Sequence, residues 1–174
     1  IMYLPISEKN DGNRTGQKHR TEHEAGTELL AVGLRELYGM ELNRDRLSYG
    51  QHGKPYLRNH PEIHFNISHC EGLAVCVFSD TETGVDVERI REVKEKVIPK
   101  VFDRAEQELL FWNKAEKEKY KEIFYRFWTL KESYVKQSGQ GMTVKLTDFA
   151  FQPELDPGWR FRVRMKKSGQ CNVS

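Results

Sequence analysis

Apolar positions along the chain switch between helical and strand periodicity, and the switches divide it into elements. From Glu22 to Leu37, residues Leu29, Leu30, Val32, Leu34 and Leu37 recur at helical spacing, and Gly39 supplies a stop. Residues 7–20 are polar and read as a loop ending in Lys18, His19 and Arg20. Residues 49–62 carry two glycines and two prolines and read as another loop, around Gly53-Lys54-Pro55-Tyr56. Ile63 to Ile67 alternates as a strand does, and Ser68 can cap a short turn or helix. Leu73 to Ser79 reads as a buried strand, Asp80 to Gly84 as a turn, and Val85 to Glu88 as a third strand. Short strands this close favour an antiparallel sheet.

Helices are expected next. Asp103-Arg104-Ala105-Glu106 has the form of a capping box, with Leu109, Leu110 and Trp112 as the apolar face behind it. Residues 113–122 are almost all charged and read as a solvated helix end or connection. Glu122 to Gln137 carries Ile123, Phe127, Leu130 and Tyr134 at helical spacing, ended by Gly139 and Gly141. Residues 146–152 and 159–165 read as two strands around Asp156-Pro157-Gly158.

Composition narrows the class. The 174 residues suffice for one large domain or two small halves sharing a core. Charged residues reach 31%, but nine Phe, seven Tyr and three Trp argue against disorder. A net charge of +2 carries no nucleic-acid signature. The longest apolar run, Leu73 to Phe78, is far shorter than the ~20 residues of a membrane span. The chain turns polar by Ser7, so no secretory leader is expected. Cys70, Cys76 and Cys171 cannot all pair within one chain and lack metal-ligand spacing, which suits a reducing cytoplasm.

Candidate chemistry is local. Asp86 and Glu88, two apart on an expected strand, share one face, and adjacent carboxylates persist more comfortably with a cation between them. Oxygen ligands of this kind suit Mg²⁺ bridging to phosphate. The plainer alternative is the solvated face of an edge strand. Trp128, Glu132 and Lys136 form one helical stripe. Glu132 could be a third carboxylate at the same metal and Lys136 a phosphate countercharge. The plainer alternative is an exposed ion pair worth roughly 0.3–0.5 kcal/mol. Asn66-Ile67-Ser68-His69 is expected at a strand end, where phosphate can be bound, or where a serine merely caps. Lys54 is either a cation placed for a ligand or an ordinary loop lysine.

In order, Gly53-Lys54-Pro55-Tyr56, Phe65-Asn66-Ile67-Ser68-His69, Gly84-Val85-Asp86-Val87-Glu88 and Phe127-Trp128-Thr129-Leu130-Lys131-Glu132-Ser133-Tyr134-Val135-Lys136 resemble the 4′-phosphopantetheinyl transferases of the larger, surfactin-synthetase-activating type. The resemblance implies an α+β fold of two similar halves in one chain, a pseudo-dimer with coenzyme A in the cleft between them. The halves would be residues 1–90 and 91–174. It implies transfer of the phosphopantetheine arm of coenzyme A to a serine of an acyl or peptidyl carrier protein, releasing adenosine 3′,5′-bisphosphate. By motif matching, Asp86, Glu88 and Glu132 would bind Mg²⁺ (or Mn²⁺), and Glu132 would also take the serine proton. Lys136 would neutralise phosphate charge, Ser68 and His69 would contact phosphates, and Lys54 and Pro55 would flank the adenosine end. Thr27 and the Lys18-His19-Arg20 cluster fall where the family places nucleotide contacts.

The chain departs from the large type in opening at Ile1-Met2, close to the first helix, and in ending at Ser174. It reads as a compact or a shortened form, acting as a cytoplasmic monomer without membrane or nucleic-acid partner. Carriers of this class present an acidic helix, for which Lys94, Lys96, Lys100 and Arg104 are candidate contacts, with Val97, Val101 and Phe102 as the apolar alternative. Two other functions use a similar residue set: a Mg²⁺-dependent nuclease, and a carrier-binding relative without catalysis.

Overall fold

The helix expected from Glu22 is α1 (Glu22–Tyr38), in a computed structural model that describes residues 1–6, 21–153 and 161–165. Thr21 opens it with a capping box: its hydroxyl accepts from Glu24 N–H, and the Glu24 carboxylate accepts from Thr21 N–H. Gly39 closes it in the left-handed conformation. Its buried side, Ala25, Leu29, Leu30 and Leu34, packs on a three-stranded antiparallel sheet. That sheet has the order β1 (Met2–Pro5), β5 (Leu73–Ser79), β4 (His64–Cys70). Gly26 and Gly33 permit the approach, since a Cβ would press on Ile67 at the first and strike Phe78 at the second. Leu57, Ile63, Phe65, Ala74 and Cys76 complete this core.

Three local expectations are corrected. The stretch 49–62 is not all loop: β2 (Leu47–Tyr49) and β3 (Pro55–Leu57) form an antiparallel hairpin, with Gly53 at positive φ in its turn. Ser68 caps nothing; it lies inside β4, paired with Val75. Val85 to Glu88 is not a strand, and the third strand of the sheet is β1. The reason is visible in the hydrogen bonds. Asn66 Oδ1 accepts from Val85 N–H at 2.9 Å and Ser68 Oγ from Val87 N–H at 3.3 Å, so side chains of β4 take the place of a ladder.

Beyond Arg89 follow α2 (Ile98–Val101), α3 (Arg104–Trp112), α4 (Lys117–Ser138) and an antiparallel hairpin of β6 (Phe149–Pro153) and β7 (Phe161–Met165). The capping box on α3 forms as expected. Its apolar face is narrower than expected: Leu110 is buried, whereas Leu109, Phe111 and Trp112 are exposed. On α4 the buried positions are Tyr120, Phe124, Phe127, Lys131 and Val135, a stripe displaced from the expected Ile123, Leu130 and Tyr134. The turn expected at Asp156-Pro157-Gly158 and the loop expected over residues 7–20 lie outside the described residues.

The fold is α+β, in two compact units: Ile1–Arg89 with Glu132–Met142, and Ile90–Lys131 with Thr143–Ser174. The last turns of α4 therefore belong with the first unit. No helix among the described residues is long and apolar enough to cross a membrane.

Candidate active site

Strand alternation divides the residues of β4. Ser68 and Asn66 share one face, while His69 and Ile67 share the other, where Ile67 meets Gly26 of α1. The Asn66 and Ser68 face holds the segment 82–88, and the last turns of α4 close on that segment. Gly84 makes this possible: a Cβ there would collide with the Ser133 carbonyl and the Gln137 amide. Gln137 Nε2 donates to Glu82 O at 2.9 Å.

Asp86 is thereby brought to Lys136, with the ammonium 2.5 Å from Oδ1. Ser68 Oγ donates to the same oxygen at 3.0 Å and accepts from Lys136 Nζ at 2.9 Å. With Val87 N–H as a second donor to it, the hydroxyl has its one donor and two acceptor sites engaged. Lys136 has two of its three donors engaged, and its side chain is 31% exposed. The Asp86 side chain is only 6% exposed, and its Oδ2 is buried with no hydrogen-bond partner among the described residues.

Glu132 stands one turn before Lys136 on α4. Burial holds its carboxyl above the ordinary range, and the charges of Asp86 and, less strongly, Glu88 add to that, partly opposed by Lys136. The three expected carboxylates thus act on one another within one unit, with Glu88 exposed at the rim. As they stand, no three His, Cys, Asp or Glu groups among the described residues gather round one metal position.

The other expected contacts are distributed. His69 is exposed. Thr27 lies on α1, its hydroxyl donating to His23 O at 3.0 Å. Lys18 and Arg20 lie outside the described residues. Pro55 lines a pocket of about 280 Å³ with Tyr56, Ile63, His64, Phe65 and Glu82. Lys54 borders that pocket too, but its ammonium is turned to protein oxygens of Glu82, Thr83 and Gln137. Glu82 and Gln137 carry no sequence signal, since a loop glutamate and a helix-end glutamine are ordinary residues. Gly84 does carry one, as the single small residue ahead of the carboxylate pair.

Of the proposed carrier contacts, Lys94, Lys96, Lys100 and Arg104 are exposed, with Arg104 paired to Glu108 at 3.1 Å. Val101 and Phe102 are buried, which removes them as an apolar docking face.

A family model described as the 4′-phosphopantetheinyl transferase superfamily matches residues 82–173, a range that includes Asp86, Glu88, Glu132 and Lys136. The chain is similar to 4′-phosphopantetheinyl transferase Sfp of Bacillus subtilis (strain 168), 30% identical over 156 residues, covering 89% of this chain and 62% of that protein. It is 32% identical over 176 residues to 4′-phosphopantetheinyl transferase ffp of Bacillus subtilis, covering 99% of this chain and 72% of that protein. With 4′-phosphopantetheinyl transferase HetI of Nostoc sp. it shares 33% identity over 131 residues, 72% of this chain and 54% of that protein. The chain therefore spans between about half and three quarters of the length of these relatives. A model matching more than half of the chain, together with a relative matched along nearly all of it, means that the chain belongs to the 4′-phosphopantetheinyl transferase superfamily.

Proposed function

We propose that this chain transfers the 4′-phosphopantetheine arm of coenzyme A to a serine hydroxyl of an acyl or peptidyl carrier protein, releasing adenosine 3′,5′-bisphosphate. The observation that carries the reading is the grouping of Asp86, Glu132 and Lys136: among the described residues, a buried carboxylate oxygen without a donor, a carboxyl made more basic by its surroundings, and an ammonium with a donor to spare. Asp86, Glu88 and Glu132 would hold Mg²⁺, or Mn²⁺ in its place. The donor set is all oxygen, as a hard cation requires, and a cation would relieve the mutual repulsion of the carboxylates. When bound, the metal supplies charge stabilisation to the coenzyme A pyrophosphate.

The chain's own residues do the remainder. Glu132, held above the ordinary carboxyl range, accepts the serine proton. Lys136 gives its third N–H to the phosphate on which charge develops as the bond to the leaving group breaks. Ser68 holds Asp86 and Lys136 in register. His69, on the other face of β4, would contact phosphate, Thr27 and the Lys18-His19-Arg20 cluster would serve the nucleotide, and Pro55 would flank the adenosine end. Residues 1–90 and 91–174 would be the similar halves of a pseudo-dimer with the coenzyme in its cleft, as the family resemblance implies, and the chain would work as a cytoplasmic monomer. An acidic carrier helix would meet Lys94, Lys96, Lys100 and Arg104.

The test is a mass measurement on carrier proteins incubated with coenzyme A, Mg²⁺ and this chain. A gain equal to the phosphopantetheine arm on the carrier serine is expected. No gain on any acyl or peptidyl carrier, with coenzyme A still bound, would favour the non-catalytic relative instead.

A further inference from the structure

We infer that Lys54 is a positioning residue: its ammonium fastens the end of α4 to the segment leading into Asp86, and so fixes where Lys136 and Glu132 stand against that carboxylate. The inference rests on the proposed transferase reading for its kinetic consequences, though not for its structural one. Motif resemblance alone puts Lys54 beside the adenosine end of the coenzyme. An ammonium has three donors, and all three of these are engaged by protein. Nζ lies 2.5 Å from Glu82 Oε2, 2.8 Å from Gln137 O and 3.3 Å from Thr83 O. The side chain is only 20% exposed. Lys136, by contrast, keeps one donor unengaged among the described residues.

The three acceptors are placed where fastening matters. Gln137 follows Lys136 directly, and its carbonyl is among those that a helix leaves without an internal partner. A cation at that end also complements the helix dipole. Glu82 and Thr83 lie four and three residues before Asp86. Lys54 thus ties together the two segments that carry the opposed charges, through acceptors other than those of the Lys136–Asp86 contact. Glu82 is further held by His64 Nδ1 at 3.4 Å, which anchors the tie to β4. The Lys54 hydrogen bond is the main reason that the Glu82 carboxyl stays below its ordinary range.

A tie and a ligand contact predict opposite kinetics. If Lys54 positions, Lys54→Met should lower kcat about tenfold, since small displacements of reacting groups are costly, with KM for coenzyme A within about twofold. The ratio of KM values for coenzyme A and 3′-dephospho-coenzyme A should stay unchanged, and Lys54→Arg should recover part of kcat. Glu82→Gln should lower kcat by a smaller factor without improving KM. If Lys54 instead grips phosphate, Lys54→Met should raise KM for coenzyme A alone, and Glu82→Gln should release the ammonium and lower that KM. Either result would overturn the inference.

Hydrogen exchange separates this outcome from failure of the transferase reading. Even in a chain that modified no carrier, Lys54→Met should speed amide exchange in residues 83–86 and 135–139 by about tenfold, as a locally opened segment does. Unchanged exchange there would refute the tie. Should Lys54→Met fail to fold, Glu82→Gln, altered only at an exposed carboxylate, carries both measurements.

Discussion

Lys131 and Lys136 lie five residues apart on α4, about 140° apart around the helix, and each meets a buried carboxylate. In the second unit, Lys131 is 0% exposed and Glu106 is 2% exposed. The Lys131 ammonium donates to Glu106 Oε2 at 2.9 Å, Leu146 O at 2.8 Å and Phe149 O at 2.7 Å. Glu106 in turn accepts from Asp103 N–H and Phe151 N–H, both at 2.9 Å. That pair joins the start of α3, the middle of α4 and β6 with no donor of the ammonium left over. In the first unit, among the described residues, Lys136 keeps a donor unengaged and Asp86 keeps an oxygen unpartnered. A closed polar network in low dielectric rigidifies a core, whereas an open one is unfinished until a ligand completes it. Completeness of hydrogen bonding, more than burial, distinguishes the structural pair from the one proposed for chemistry.

The largest expected effect falls on the open site. Glu132→Gln should slow carrier modification by roughly 10²–10⁴-fold, the usual contribution of a general base. Stability should not fall, because the substitution removes a carboxylate that burial, Asp86 and Glu88 all disfavour. Asp86→Asn should likewise abolish most transfer in a protein that still unfolds cooperatively. Initial rates by carrier mass and urea midpoints check both, and a Glu132→Gln enzyme within tenfold of wild type would remove Glu132 from the chemistry.

The closed site should answer in stability. Lys131→Met leaves the Glu106 charge buried without its cation and should cost about 3–5 kcal/mol. Adding Glu106→Gln should recover part of that loss, because the uncompensated charge is then gone. Lys136→Met should shift the urea midpoint far less while cutting transfer severely. Equal destabilisation by Lys131→Met and Lys136→Met would erase the distinction between the two pairs.

Much of the open site was legible because its signals are local. Glu132 and Lys136 are one helical turn apart, so spacing alone aligns them, and Asp86 and Glu88 stand out as carboxylates two apart even though the strand expected to align them does not form. The closed site was hidden because its partners are remote. Lysine is almost never fully buried unless paired, so on a charged helix Lys131 looks solvated. Glu106 already explains itself as the third helical residue of the capping box that Asp103 opens on α3, and nothing near it announces a second role. The same non-locality misled the reading of Val85 to Glu88. Its alternation is that of a strand, but its N–H groups meet side chains of Asn66 and Ser68. β1 pairs with β5 across some seventy residues of sequence, too far for local pattern to indicate.

A smaller effect should appear in the pH dependence of stability. Glu132 in the folded chain binds its proton more tightly than the ordinary carboxyl with its value of 4.5. As pH rises from there through the raised folded value, the unfolded chain releases this proton first, so this group makes the fold progressively less stable. Glu132→Gln should flatten that decline. Mg²⁺ should flatten it in the wild type, since a cation favours the ionised form. Urea midpoints measured across this range, with and without Mg²⁺, provide the check. A decline of equal slope in wild type and Glu132→Gln would assign it to another group.

The smallest effect belongs to a third charge pair on the same helix. Arg126 Nη2 and Glu122 Oε1 stand 2.5 Å apart at i, i+4, as close as Lys136 and Asp86. Yet Glu122 is 56% exposed and water competes for both groups. Distance alone would rank this pair with the buried ones, whereas completeness in a dry setting ranks it last. Glu122→Ala should cost no more than about 0.5 kcal/mol, less at high salt, and leave transfer unchanged. A loss near that of Lys131→Met, measured as a urea midpoint, would mean that ion-pair distance on α4 governs stability after all.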